Sequence, residues 1–200
     1  MALTISHVIG ILLSYLVGSI SSSIIIARIM NLPDPRSLGS GNPGATNMLR
    51  TGSKKAALIT LFGDLLKGLI PLLIARWLDV ETSILCFIGF AAIIGHRYPV
   101  YYRFAGGKGV ATTLGVLLGL QWQLALIWIA AWLFTAKLSG YSSLAALIAI
   151  TLLPFASYLL NLPHSITITC VIVAALVVWR HRSNINNLLS GKESKINIKD

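Results

Sequence analysis

Residues 109–138 read GVATTLGVLLGLQWQLALIWIAAWLFTAKL, and the number of times this stretch crosses a membrane decides the fold. Apolar sequence flanks Gln121, Trp122 and Gln123, a polar and aromatic trio of the kind that sits at a membrane–water interface. Read through that trio the stretch is one span; split there, it is two short ones, residues 109–120 and 124–138. Charge chooses between them. Lys and Arg gather in residues 36–55, 97–108 and 180–200, which hold most of the sixteen in the chain. The positive-inside rule puts such segments on the cytoplasmic face. The connector at 78–82 has Asp79 and Glu81 with no basic residue and suits the other face. With six spans the basic loop at 96–110 and the basic tail fall on opposite faces, whereas the extra crossing made by the split puts them on the same one.

The other spans follow from apolar runs at residues 4–30, 56–77, 83–95, 141–160 and 164–179, the last two joined by the turn-like Asn161-Leu162-Pro163-His164. The expected fold is all-α: a polytopic integral membrane protein of seven transmembrane helices, some short, with the N-terminus outside and the C-terminus cytoplasmic. One transmembrane domain, residues 1–200, is expected, without internal repeat. The shortest crossing, about 12 residues, covers only about 18 Å at about 1.5 Å per residue. Local thinning, partial burial or a re-entrant helix has to supply the rest.

Composition agrees with a lipid solvent, since 56% of residues are hydrophobic, 11% are charged and the mean hydropathy is +0.79. The first run is too long for a signal-peptide core and has no basic region before it, so it is expected to be retained as a helix. The net charge of +10 is spread between apolar runs and not concentrated in a patch interleaved with aromatics, which argues against nucleic acid. It fits topology first and phosphate-bearing ligands second. Cys86 and Cys170 lie in apolar runs with no CxxC pair or His/Cys cluster, so neither a metal nor another cofactor is expected.

Chemistry is concentrated in the basic segments. The first reads GSGNPGATNMLR over residues 39–50, with glycines, small hydroxyls, amides and Arg50; backbone N–H groups in such a stretch can wrap a phosphate while Arg supplies paired donors. Gly39, Gly41 and Gly44 also match GxGxxG with Asp64 about 20 residues on, but no strand precedes them, which rejects a dinucleotide fold. The second segment, residues 95–112, places Gly107, Lys108 and Gly109 at the start of a helix, where free amides and a cation face the same anion. A P-loop is excluded, because Tyr102 stands where its first Gly belongs and Gly109 follows the Lys. With glycines on both sides keeping the backbone accessible, Lys108 reads as functional, and Arg97 and Arg103 equally well as topological anchors. In the third segment a helix continuing through residues 179–185 sets His181 and Asn184 three apart on one face. Asp64 and Lys67, three apart within a span, read as an intrahelical ion pair.

Together SGNPGATNMLR at 40–50, GHRYPVYYRFAGGKGVAT at 95–112 and HRSNINNLL at 181–189 resemble, in order and spacing, the bacterial acyl-phosphate:glycerol-3-phosphate acyltransferases of the PlsY family, and the likeness spans essentially the whole chain. The resemblance implies seven spans and an enzyme that moves a fatty acyl group from acyl phosphate to glycerol 3-phosphate, releasing phosphate and 1-acylglycerol 3-phosphate. It carries the catalytic roles to Ser40, Arg50, Lys108, His181 and Asn184, and the surrounding substrate- and phosphate-binding positions to Gly41, Asn42, Thr46, Asn47, His96 and Gly107. The sequence departs from the family pattern at Asn187, where Arg is usual, and at Tyr102, near a usual Phe.

The expected partners are acyl phosphate, glycerol 3-phosphate and membrane lipids, not nucleic acid; the chain is expected to act as a monomer in the bacterial inner membrane with its site facing the cytoplasm. Asp stands five residues after none of the four histidines, where Leu12, Tyr101, Thr169 and Asn186 occur, so the His-Asp dyad of common acyltransferases is absent. His181 or a substrate phosphate oxygen is left to accept the alcohol proton. A covalent acyl-Ser40 intermediate has no base adjacent in sequence. The alternatives are acyl-CoA or acyl carrier protein as donor and, in a different class, an organic-phosphate transporter.

Overall fold

A computed structural model describes residues 3–50 and 53–196. Thr51 and Gly52 of the first basic segment, and residues 197–200 of the basic tail, lie outside it. Among the described residues all regular structure is helical: α1 (Ile5–Gly18), α2 (Ser22–Ile29), α3 (Ala45–Arg50), α4 (Lys54–Trp77), α5 (Thr82–Arg97), a 3-10 turn (Val100–Tyr102), α6 (Val110–Leu120), α7 (Trp122–Ser139), α8 (Ser142–Leu159), α9 (His164–Arg180) and α10 (Arg182–Leu189). They form two compact units, residues 1–120 and 121–200. Four helices are long and apolar enough to cross a membrane, and six spans result if the bent pairs α1–α2 and α9–α10 each count as one; α6 is shorter.

The division expected at Gln121 is present. Helix α6 ends at Leu120 and α7 begins at Trp122, with the Gln121 side-chain amide donating to the Gln123 side chain at 2.7 Å. The single helix expected over residues 4–30 is instead broken, with a 42° bend between α1 and α2. Serines cause the break: Ser19 Oγ donates back to the Tyr15 carbonyl at 2.9 Å, and Ser21, Ser22 and Ser23 follow. Such hydroxyls compete with the helical ladder. The break strands the Ile20 carbonyl, and Lys67 Nζ of α4 donates to it at 2.7 Å.

Lys67 is tolerated in this interior because Asp64, one turn earlier, lies 2.9 Å from its ammonium, as the spacing predicts. Both belong to the buried stripe of α4, Ala56, Thr60, Asp64, Lys67, Gly68, Leu72 and Ala75, which repeats every three to four residues.

Unit 1 is held by close approach of backbones. A Cβ on Gly68 would collide with the Thr112 carbonyl, and one on Gly115 with the Leu65 carbonyl, so α4 and α6 touch main chain to main chain. Gly18 and Gly95 do the same for α1 and α5, against Ala92 and Tyr15, while Ser14 Oγ donates to the Ile88 carbonyl at 2.7 Å. Small residues serve this purpose where lipid removes the hydrophobic drive between helices. Large side chains face outward, as in Leu12 (58% exposed) and Phe62 (54%).

Unit 2 packs α7 against α8 and α8 against α9. Gly140, at φ +74, ends α7, and Asn161, at φ +52, turns the chain between α8 and α9 where the sequence placed a turn. The helix expected to continue straight through His181 bends there by 59°.

Removing one member of a buried ion pair leaves an uncompensated charge, at a cost of about 3–5 kcal/mol. Asp64→Ala is therefore expected to lower the thermal unfolding midpoint of the detergent-solubilised protein. An unchanged midpoint for this variant removes the pair from the account of stability.

Candidate active site

The first motif is a knot tied by Asn47. This residue is 1% exposed on α3; its Oδ1 accepts from the Ser40 backbone N–H at 2.9 Å and from Ser40 Oγ at 3.2 Å, and its Nδ2 donates to the Pro35 and Leu38 carbonyls at 2.7 and 3.0 Å. Gly39, at φ +56, has to be glycine on two counts, because its backbone is left-handed and a Cβ would strike the Asn47 amide oxygen. Just upstream, Arg36 pairs with Asp34 at 2.6 Å and holds its carboxyl below the usual carboxylate range. Both groups are part-exposed, so the pair shapes the turn more than it stabilises the fold.

This knot leaves Ser40 exposed at the surface of the loop, and Gly41 turns the chain at φ +67. Asn42 lies against the Cα of Gly44, half-buried, while Thr46 and Arg50 are half-buried on α3. The Ser40 hydroxyl donates to an amide oxygen, a group that cannot take its proton. Among the contacts described for it, nothing activates it as a nucleophile.

The second motif is folded back on itself. Tyr15 Oη donates to the Tyr98 carbonyl at 2.8 Å, the 3-10 turn leads into two left-handed residues, Arg103 and Phe104, and the Gly107 N–H returns to the His96 carbonyl at 3.2 Å. A Cβ on Gly107 would collide with His96 Nε2 and come within 3.2 Å of the Pro43 carbonyl. The first and second motifs thus meet at Gly107, within unit 1. Lys108 follows half-buried, Gly109 turns at φ +84, and α6 starts at Val110. The cation therefore sits at the N-terminal end of a helix, where backbone N–H groups and the dipole favour anions.

His96 is 8% exposed, with Nδ1 3.8 Å from Asp64 Oδ1. The buried sequence Lys67–Asp64–His96 thus runs from the broken α1–α2 junction to the underside of Gly107. Arg97, which the sequence allowed as a membrane-surface anchor, is instead 1% exposed, with its guanidinium 5.2 Å from the centre of the Tyr98 ring. Its neighbours His96 and Gly95 are buried as well, while Ile94 and Tyr98 are half-buried.

In unit 2 the third motif occupies the bend. His181 is 2% exposed and its Nδ1 lies 2.8 Å from the Val177 carbonyl. A carbonyl only accepts, so Nδ1 carries a proton and the lone pair of the neutral ring is on Nε2. Asn184, on the first turn of α10, is 7% exposed and donates from Nδ2 to Glu193 Oε1 at 2.8 Å. Asn187 is exposed, and its backbone carbonyl accepts from the N–H groups of Lys192 and Glu193. The sequence reading missed Glu193; the available signal was that residues 121–196 contain no other acidic side chain. Among the described residues no three His, Cys, Asp or Glu side chains gather as a metal ligand set.

Residues 8–191 match the family model described as glycerol-3-phosphate acyltransferase. The glycerol-3-phosphate acyltransferase of Thioalkalivibrio sulfidiphilus is 54% identical over 186 residues, 93% of this chain and 92% of that one. That of Coxiella burnetii is 45% identical over 193 residues, 96% of this chain and 100% of its own. Crystal structures of PlsY (YgiH), an integral membrane glycerol 3-phosphate acyltransferase, superpose with TM-scores of 0.91 for the glycerol 3-phosphate form and 0.88 for the lysophosphatidic acid form, at 38% and 37% identity. These two alignments cover 96% and 95% of each chain respectively. With the family model, curated relatives and solved structures all matched over nearly its whole length, the chain belongs to the PlsY family of integral membrane glycerol-3-phosphate acyltransferases.

Proposed function

We propose that the chain transfers a fatty acyl group from acyl phosphate to the sn-1 hydroxyl of glycerol 3-phosphate, giving lysophosphatidic acid and phosphate, the first acylation of phospholipid synthesis. The observation that carries the reading is the meeting of the Ser40–Arg50 loop with the Gly107–Lys108–Gly109 turn ahead of α6. Two glycine-framed loops with a cation each suit substrates that both bear phosphate. The enzyme acts as a monomer in the bacterial inner membrane. Its seven spans are α1–α2, α4, α5, α6, α7, α8 and α9, with the N-terminus outside and the three motifs facing the cytoplasm. The chain, residues 1–200, serves as a single transmembrane acyltransferase domain.

In this mechanism Arg50, Lys108 and loop amides hold phosphate charge. The sn-1 oxygen forms a bond to the acyl carbon as the bond from that carbon to the phosphate oxygen breaks, and phosphate leaves. Acyl phosphate is a mixed anhydride with a good leaving group, so alignment is most of the task, and alignment can contribute about 7–11 kcal/mol. His181 takes the alcohol proton at Nε2, the nitrogen that the Val177 contact leaves with the lone pair. Ser40 and Asn184 orient glycerol 3-phosphate or the acyl carbonyl. Asn42, Thr46 and Gly41 shape the phosphate loop, while Asn47 and His96 act from behind it, holding Ser40 and Gly107.

The direct test supplies purified protein with glycerol 3-phosphate and, separately, acyl phosphate, acyl-CoA or acyl carrier protein. Lysophosphatidic acid is expected with acyl phosphate alone; formation with either thioester instead reassigns the donor, and no product with any donor but uptake of organic phosphate into vesicles reassigns the class.

Lys108→Met is expected to lower kcat/KM by about 100-fold or more, the scale of losing one transition-state donor, and an unchanged rate removes the clamp. His181→Ala is expected to lower kcat by about 100-fold, within the range for a general base; near-normal turnover gives the proton to a substrate phosphate oxygen. Single cysteines at the exposed positions Tyr101 and Asn187 should both react with a membrane-impermeant reagent from the cytoplasmic side. Labelling from opposite sides ends the seven-span reading.

A further inference from the structure

We infer that Asp64 is a positioning residue for the turn that carries Lys108, acting through the imidazole of His96; the inference rests on the proposed role of Lys108 in holding substrate phosphate. The two glycines before Lys108 are seated on residue 96. A Cβ on Gly106 would collide with the His96 carbonyl and one on Gly107 with His96 Nε2, while the Gly107 N–H donates to the His96 carbonyl at 3.2 Å. The same Cβ position on Gly107 lies 3.2 Å from the Pro43 carbonyl of the first loop. The place of the ring therefore sets the place of the Gly107 main chain where the two loops meet, and Lys108 is the next residue.

An imidazole fills nearly the same space when turned over about its Cβ–Cγ bond, with Nδ1 and Cδ2 exchanged and Nε2 and Cε1 exchanged, so packing alone chooses poorly between the two. Charge decides. His96 Nδ1 lies 3.8 Å from Asp64 Oδ1, and both side chains are buried. At that distance the contact is electrostatic and not a hydrogen bond. Burial leaves it little screened, so the carboxylate draws an N–H toward itself in preference to a C–H. With Nδ1 held toward Asp64, Nε2 is the atom that meets Gly107. Asp64 is itself held by the Lys67 ammonium at 2.9 Å, and Lys67 by the Ile20 carbonyl at 2.7 Å. An ion pair needed for folding alone could sit anywhere along the buried stripe of α4. This one sits where its carboxylate faces the residue on which the phosphate turn rests.

The experiment is steady-state kinetics on the full-length membrane enzyme, with glycerol 3-phosphate and acyl phosphate varied in turn while the other is saturating. Lys108→Met identifies the substrate that the turn holds as the one whose kcat/KM falls more. In Asp64→Asn the side chain keeps its shape but carries no charge and can offer either an oxygen or an NH2 group, so the ring is no longer held one way. KM for that substrate is expected to rise about tenfold, with kcat within about twofold, the scale of one hydrogen bond to a charged group lost from binding. His96→Gln should also raise KM, and Asp64→Asn/His96→Gln should be no worse than His96→Gln, because the first change acts through the second. Leu72→Ala opens a cavity about two turns farther along the same buried stripe and lowers the unfolding midpoint, yet should leave KM within about twofold. Should Asp64→Asn not fold, Asp64→Glu takes its place with the same expectation, since it keeps a charge for Lys67 and moves the oxygens relative to Nδ1. Wild-type KM in the folded Asp64 variant beside an impaired Lys108→Met overturns the inference and leaves the phosphate clamp standing. A rise that Leu72→Ala reproduces, or losses that multiply in the double variant, makes Asp64 a matter of stability alone and overturns it as well. Wild-type kinetics in Lys108→Met removes the clamp, and this inference with it.

Discussion

Inside hydrocarbon no solvent is available to answer a stray carbonyl or charge, and the contact that meets this constraint is the one Lys67 makes. Its ammonium reaches the Ile20 carbonyl released by the α1–α2 break and the Asp64 carboxylate one turn away, at 2.7 and 2.9 Å. Each member needs the others: the break would expose a polar group worth several kcal/mol without Lys67, and Lys67 would be an isolated buried charge without Asp64. Asp64 in turn lies beside His96, and His96 supports Gly107 from below. One ion pair thus links a helix break deep in unit 1 to the loop that presents Lys108.

Glycine is the other structural currency of unit 1, and it does two different jobs there. In α1, α4, α5 and α6 it removes side chains so that main chains can touch, as Gly115 does against Leu65 and Gly95 against Tyr15. In the loops it supplies left-handed backbone at Gly39, Gly41 and Gly109. Gly106 and Gly107 belong to the first kind although they sit in a loop, since Cβ atoms there would strike His96 and Arg97. The glycine-rich appearance of the second motif therefore reflects tight packing on the end of α5 as much as access to a phosphate.

Features that depend on composition along the chain were legible before any coordinates. The division at Gln121, the Asp64–Lys67 pair and the turn after α8 fall where polarity, spacing and proline place them. What escaped was set by competition among neighbours. Ser19 to Ser23 occur inside an apolar run that hydropathy reads as continuous, because a hydroxyl bonded back to a carbonyl costs little on that scale. The bend at His181 needs the Val177 carbonyl to accept from the imidazole, a contact with no periodicity to announce it. Arg97 read as a surface cation because charge is assigned to water by default, and only the crowding at the end of α5 makes it interior. Asn47 was legible as a motif residue but not as the knot of its loop, since its partners at Pro35, Leu38 and Ser40 lie before it in sequence without a pattern.

A site that takes a phosphate-bearing substrate faces a problem opposite to that of a cation site, because acceptors repel phosphate and are better occupied by the protein itself. The motifs treat their acceptors in that way. Asn47 Oδ1 takes two donors from Ser40, Asp34 takes the Arg36 guanidinium, Asp64 lies between Lys67 and His96, and Glu193 takes Ser143 and Asn184. Only six acidic residues occur in the chain, and among the described residues Asp34, Asp64, Glu81 and Glu193 accept from a side chain or face one within the fold. With carboxylates so few and so engaged, the cations and backbone N–H groups near Arg50 and Lys108 set the local potential of the two loops, and that potential favours anions.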